Sequence, residues 1–172
     1  MKRYFRKYII PVLFILLFLG VYARNLGTVQ VDIEKIDGVD VIENVHIGMT
    51  IEQGFRANKN KICGIAIKFG TYARENIGYI KLELVNELNQ KVATTNISKK
   101  NLVDNAYYEW YFPPISNSKN KHYILRVIDD SKVEGNEITL YKSNEKDINQ
   151  VKLVKDGIEE IGGLNLITYY VN

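Results

Sequence analysis

Positions 107 to 112 read Tyr107, Tyr108, Glu109, Trp110, Tyr111 and Phe112, the densest aromatic run of the chain. Side chains alternate along an extended strand, so Tyr108, Trp110 and Phe112 share one face while Tyr107, Glu109 and Tyr111 share the other. One face must be core. The other offers flat rings to stack on the C–H faces of sugars, with Glu109 to accept hydroxyl hydrogen bonds. It equally suits tyrosines that only shield the edge of a sheet.

Other chemistries find little support. A glycosidase needs only two carboxylates about 5 to 10 Å apart, and Asp104, Glu109, Asp129 and Asp130 are nominal candidates. With 20 acidic residues in a small domain such pairs arise by chance, and the expectation is a non-catalytic protein. The two histidines, His46 and His122, lack the short spacing common in zinc sites. No nucleophile elbow or glycine-rich phosphate loop is present. The acids Asp32, Glu34, Asp37 and Asp40 lack the glycine and ligand order of a calcium loop and read as a solvated edge. Cys63, the single cysteine, sits in the apolar run 62–69 and reads as a buried side chain. No cofactor and no metal are expected.

The elements that must hold these residues are strands. Period-two alternation places Ile51, Gln53, Phe55 and Ala57 on one face, then Cys63, Ile65, Ile67 and Phe69 with Gly64, Ala66 and Lys68 between them. It continues in Ile80, Leu82 and Leu84, with Lys81 and Glu83 toward water. Residues 86–90 then turn into a partner strand at 91–97. Further strands are expected at 107–112, 122–129, 138–141 and 164–171, with Pro113 and Pro114 ending the aromatic one and one short helix near 146–151. About eight short strands predict an all-β antiparallel sandwich, jelly-roll-like, behind one N-terminal hydrophobic helix. The expected domains are a membrane anchor or signal peptide at 1–23, a linker and first strand at 24–45, and the sandwich at 46–172.

The leading segment sets the location. Lys2, Arg3, Arg6 and Lys7 precede an apolar run from Tyr8 to Tyr22. That run is shorter than the roughly 20 residues of a membrane span and nearer the core of an export signal. Val21 and Ala23 suit a cut after Ala23, while Tyr4, Tyr8 and Tyr22 suit interfacial anchoring of a retained segment. Either way the charge bias predicts a cytoplasmic N-terminus and a domain outside, single-pass in the cell membrane, or secreted if cleaved.

The formal charge of +3 is misleading, because four of the 23 basic residues fall in the first seven positions. Residues 24–172 carry 19 basic against 20 acidic side chains, too few for a nucleic-acid partner.

Three segments carry a resemblance: GIAIKFGTYARENIG at 64–78, DNAYYEWYFPPISNSKNKHY at 104–123 and GNEITLY at 135–141. Together they resemble a β-sandwich, jelly-roll-like module of bacterial membrane proteins of cell-surface polysaccharide biosynthesis, including glycosyltransferase-like ones. Thr71, Tyr72, Arg74, Asn76 and Gly78 fill its first pattern. Asp104, Asn105, Phe112, Pro114, Ile115 and Ser118 fill its second. The chain has no multispanning or transferase region to match those larger proteins, so the resemblance implies an accessory or binding role toward envelope polysaccharide. It adds Tyr72, Arg74 and Asn76 to Tyr107, Glu109 and Tyr111 as ligand candidates. The loop residues also suit fold maintenance, with Arg74 and Asn76 donating to backbone carbonyls and Asp104 capping a turn. The expected partners are thus a membrane and a surface polysaccharide, or alternatively an envelope protein.

Overall fold

A computed structural model describes residues 2–25, 27–33, 38–131, 134–145 and 150–172; of residues 2–7, 9, 21–25 and 150 it describes the backbone alone. A helix, α1 (Lys2–Asn25), leads into β1 (Val29–Ile33), β2 (Asp40–Val45), β3 (Thr50–Arg56), β4 (Ile62–Gly70), β5 (Tyr79–Asn86) and β6 (Lys91–Ser98). After a single turn of 3-10 helix at Lys99–Asn101 come β7 (Ala106–Ile115), β8 (His122–Asp129), β9 (Ile138–Ser143), β10 (Gln150–Lys155), β11 (Ile158–Glu160), β12 (Gly163–Leu164) and β13 (Leu166–Val171).

Two antiparallel sheets form the expected all-β sandwich. One runs β1-β13-β4-β9-β12, with β2 added on β9 and β7 added on β4; the other runs β11-β10-β3-β8-β5-β6. The inward residues follow from the period of two. Ile51, Phe55, Leu82, Leu84, Leu125 and Val127 of the six-stranded sheet meet Ile65, Ile67, Phe69, Leu140 and Leu166 of the seven-stranded one, all buried. Gln53 shares that face as read, and its amide is satisfied: Nε2 donates to the Gly54 and Lys152 carbonyls while Oε1 accepts the Leu164 N–H.

Several expectations are corrected. Residues 24–45 hold the end of α1 and two strands, not a linker and one strand. Gly64 and Ala66 are buried as well as their inward neighbours, because β4 lies between β13 and β7, whose side chains cover it. Glu83 does not face water: it is buried and lies 2.8 Å from Lys81 Nζ and 2.7 Å from Lys91 Nζ. Burial works to raise its pKa, but the two ammonium groups outweigh it and hold the carboxyl below its usual value. Asp32 does lie on the edge strand β1 but is half-buried rather than fully solvated: burial raises its pKa, and its Oδ2 accepts the Asn58 N–H. Glu34 and Asp37 lie outside the described residues.

The prolines do not end the aromatic strand, which continues to Ile115. Between the pairs Gly64–Tyr111 and Ile62–Ile115, β7 advances four residues while β4 advances two. This bulge accommodates two residues that cannot donate to a ladder, and both are exposed. At the expected short helix, residues 146–149 are outside the described set, and Gln150–Lys155 is strand.

In α1 every described side chain from Ile10 to Gly20 is exposed, an apolar run on all faces of the helix. Among the described residues no helix is long and apolar enough to cross a membrane.

Candidate functional site

The aromatic strand β7 pairs with β4 alone among the described residues, and its two faces divide as the alternation requires. Trp110 and Phe112 are buried, their rings 5.1 Å apart edge to face, and Tyr108 packs against the same core. Each such ring contributes about 1.5–3 kcal/mol by burial, so the strand is pinned from beneath. Glu109 and Tyr111 point outward and are exposed, and Tyr107 is half-buried.

Register then decides what surrounds them. Tyr111 of β7 and Tyr169 of β13 both stand opposite Gly64 of β4. The glycine leaves its place above the sheet empty, and the two rings close over it with centroids 5.5 Å apart and planes tilted by 39°. A Cβ on Gly64 would come within 2.7 Å of Tyr111 Cδ1. Glu109, opposite Ala66, ties the pair together: Tyr111 Oη donates to its Oε2 at 3.0 Å and Tyr169 Oη to its Oε1 at 3.2 Å. Burial first, and then the adjacent carboxylate, raise both phenols, Tyr169 to about 12. The result is a platform of two mutually tilted tyrosine rings hydrogen-bonded to one carboxylate that keeps acceptor capacity for further donors.

The platform extends along β4. Lys68, opposite Tyr107, places Nζ 4.6 Å from the centroid of the Tyr141 ring on β9. Next come Gly70 and a cavity of about 190 Å³ lined by Val41, Glu43, Gly70, Tyr72, Asp104, Thr139 and Tyr141. From Gly64 to Gly70 the stripe covers about 20 Å.

The three motif segments converge at this end. Asp104 accepts the Thr71 N–H and hydroxyl. Backbone donors from Thr71, Ala73 and Tyr72 hold its carboxyl below its usual value. It thereby caps the loop of another segment rather than its own turn. Tyr72 and Ala73 both adopt positive φ, 57° and 52°, a conformation that costs side-chain-bearing residues energy and persists only when held. Tyr72 Oη accepts from Thr139 Oγ1 at 2.7 Å and donates to Asn44 Oδ1 at 3.2 Å. Arg74 stacks on the Tyr72 ring at 5.1 Å, bonds Asn76 through Nε, and reaches the Glu137 carbonyl and carboxylate through Nη2. Asn76 is buried and donates to the Thr71 carbonyl. Beyond this wall lies an open cleft of about 790 Å³ whose lining includes Asn44, His46, Asp129 and Glu137.

Thus Tyr107, Glu109 and Tyr111 lie on the open face of the sheet, while Tyr72, Arg74 and Asn76 occupy the loop at its end. Sequence reasoning missed Tyr169, Tyr141, Gly64 and Glu137. Gly64, Glu137 and Tyr141 fall within the segments at 64–78 and 135–141 without standing out there as site residues, and the tyrosine-rich last strand holds Tyr169, but which strands these meet is invisible without register. Among the nominal acids, Asp129 is taken up by Lys99 at 2.7 Å in a fully buried pair. His46 sits at the Asp129 end of β8, where Gly48 N–H bonds the Asp129 carbonyl, and His122 sits at the other end. The described residues contain no cluster of three or more metal-ligating side chains.

No protein-family model and no characterised protein matches the chain significantly.

Proposed function

We propose that this chain is a membrane-associated, non-catalytic β-sandwich that binds carbohydrate on the outer face of its seven-stranded sheet, in the service of cell-envelope polysaccharide. The observation that carries the reading is the Tyr111 and Tyr169 pair closed over Gly64 and joined by Glu109. Rings held rigidly at a surface, with a carboxylate between them, supply stacking area at low entropic cost and an acceptor for hydroxyls. The stripe continuing past Lys68 to the Tyr72 and Tyr141 cavity has the length to take several sugar units in line. The bare apolar circumference of α1 supports association with lipid.

The test is binding of the full chain in detergent to a panel of bacterial surface polysaccharides. Saturable binding is expected, weakened by Tyr111→Ala and by Tyr169→Ala with circular dichroism unchanged. Equal binding by wild type and both variants removes the face from consideration. A second reading, a protein-interaction ectodomain, draws on the outer edge of β7, which among the described residues pairs with β4 alone and is a template for strand addition. Absence of binding to every polysaccharide by the folded chain, with a protein crosslinked at β7 in intact membranes, favours it.

A further inference from the structure

Although residues 24–172 are almost neutral, their charges are not evenly spread. The loops after β3 and after β7 meet at one end of the sandwich and present Lys59, Lys61, Lys119 and Lys121, all exposed. None of the four forms an ion pair with a described residue. The loops are fastened to each other. Ser118 Oγ donates to the Lys59 carbonyl and accepts the Ile62 N–H, Lys119 N–H bonds Asn60 Oδ1, and Ala57 exchanges backbone bonds with Asn120 and Lys121. Of the carboxylates at this end, Glu87 accepts the His122 N–H, and Asp32 accepts the Asn58 N–H and lies near enough to Lys59 for that charge to act on it, so Lys59 is partly compensated and Lys61, Lys119 and Lys121 carry most of the excess. At the far ends of β4 and β8, about 25 Å away by strand rise, stand Glu75, Asp104, Asp130, Glu134 and Glu137, with Arg74 paired to Glu137 and the exposed Lys100 beside them, so acids still outnumber bases there.

Chain connectivity ties the basic end to the apolar helix. Gly27, two residues beyond the last residue of α1, lies against Val171, whose N–H bonds the Lys61 carbonyl at 3.1 Å. Two residues span at most about 7 Å. The helix must therefore leave the sandwich beside these four ammonium groups.

We infer that the lysine end formed by the loops at 57–61 and 117–121 docks on an anionic lipid surface, standing the sandwich on the membrane that receives α1. This rests on the membrane-associated reading of the helix. Each lysine near an anionic surface contributes an attraction that falls off within a Debye length, and the acidic pole is pushed outward by the same field. The loop of Tyr72 and Arg74 then faces away from the membrane, open to ligand.

The experiment uses the full chain with a fluorophore on Ser116→Cys at the basic end or on Glu75→Cys at the acidic end; Cys63 is buried and is not labelled. Quenching by headgroup-nitroxide lipid is read in vesicles with and without phosphatidylglycerol, alongside flotation. Quenching at 116 but not at 75 is expected only with the anionic lipid. Salt should reverse it, and each Lys→Gln change should lower the docked-to-free ratio about fivefold. Equal quenching in both lipids overturns the docking, as does an unquenched dye on a chain that floats. Failure to float with either vesicle removes the helix reading and the docking with it. An unquenched dye that a soluble anionic polysaccharide protects assigns the lysines to that polyanion instead.

Discussion

The ring of Tyr111 lies over Gly64, so close that a methyl group at position 64 would meet Cδ1 at 2.7 Å. Tyr111 is half exposed, so the added methyl would push its ring off its seat against Tyr169 and Glu109, while the Trp110 carbonyl oxygen at 3.3 Å has to give only slightly. Gly64→Ala should therefore cost no more than about 1 kcal/mol of stability while separating Tyr111 from Tyr169. Polysaccharide affinity is expected to fall about as far as in Tyr111→Ala, roughly fivefold for one stacking ring. Thermal unfolding and titration of the same preparation check both halves. Unchanged affinity in a variant whose ring is displaced would remove Tyr111 from the site.

Tyr169 offers a direct readout of the Glu109 link. Its phenol is raised to about 12, by burial first and by the charge and hydrogen bond of Glu109 after it. In Glu109→Gln the charge is gone and the burial stays, so the value should drop but remain above the ordinary 10.0. Phenolate absorbance on alkaline titration, with Tyr169→Phe to identify the band, measures the difference. An unshifted band would show that Glu109 does not hold this tyrosine in solution.

Most of the fold was legible because a half-buried sheet writes its two faces into the sequence as alternation. That pattern placed Ile51, Gln53 and Phe55 inward and separated Trp110 and Phe112 from Glu109 and Tyr111. It misjudged Glu83, which looks solvent-facing by parity but is buried under the lysines at 81 and 91. It also stopped β7 at the prolines, because a bulge on an edge strand depends on the partner and not on the strand itself. The site was half legible for the same reason. One strand's face can be read alone, but the meeting of Tyr111 and Tyr169 across Gly64 is a product of register between three strands distant in sequence. Three motif segments were visible separately; the bonds of Thr71 to Asp104 and of Arg74 to Glu137 that join them were not.

The Asp104 cap makes the Tyr72 loop acid-sensitive. Backbone N–H donors, Thr71 first, lower the Asp104 carboxyl in the folded chain below its ordinary 3.8. A depressed acid contributes its stabilisation fully above the unfolded value and loses it as pH falls through the folded one. Amide exchange at 71–73, corrected for intrinsic rates, should thus be slow above about pH 4 and accelerate below it. Asp104→Asn should exchange fast at every pH. An acid-independent loop in the wild type would mean that the positive φ of Tyr72 and Ala73 is held by something else.

Lys99 and Asp129 form the most deeply buried charge pair described, with side chains 0% and 1% exposed and Nζ to Oδ2 at 2.7 Å. Nζ also donates to the Asn136 carbonyl, and Asp129 Oδ1 accepts the Ser131 N–H. The pair thereby ties the turn after β6 to the end of β8 and to the loop leading into β9, behind the cleft beside Arg74 and Glu137. Removing one partner strands the other charge away from water, so Lys99→Met should destabilise the fold by about 3–5 kcal/mol. Removing both avoids that penalty, because desolvating two ions offsets most of their attraction. Lys99→Met with Asp129→Leu should accordingly recover much of the loss, and denaturant unfolding of the two single variants and the double variant measures it. If the losses simply add, the two side chains do not interact in solution. If the double variant recovers stability but loses polysaccharide binding, the pair serves mainly to position the Asn136 and Glu137 wall against the Tyr72 loop.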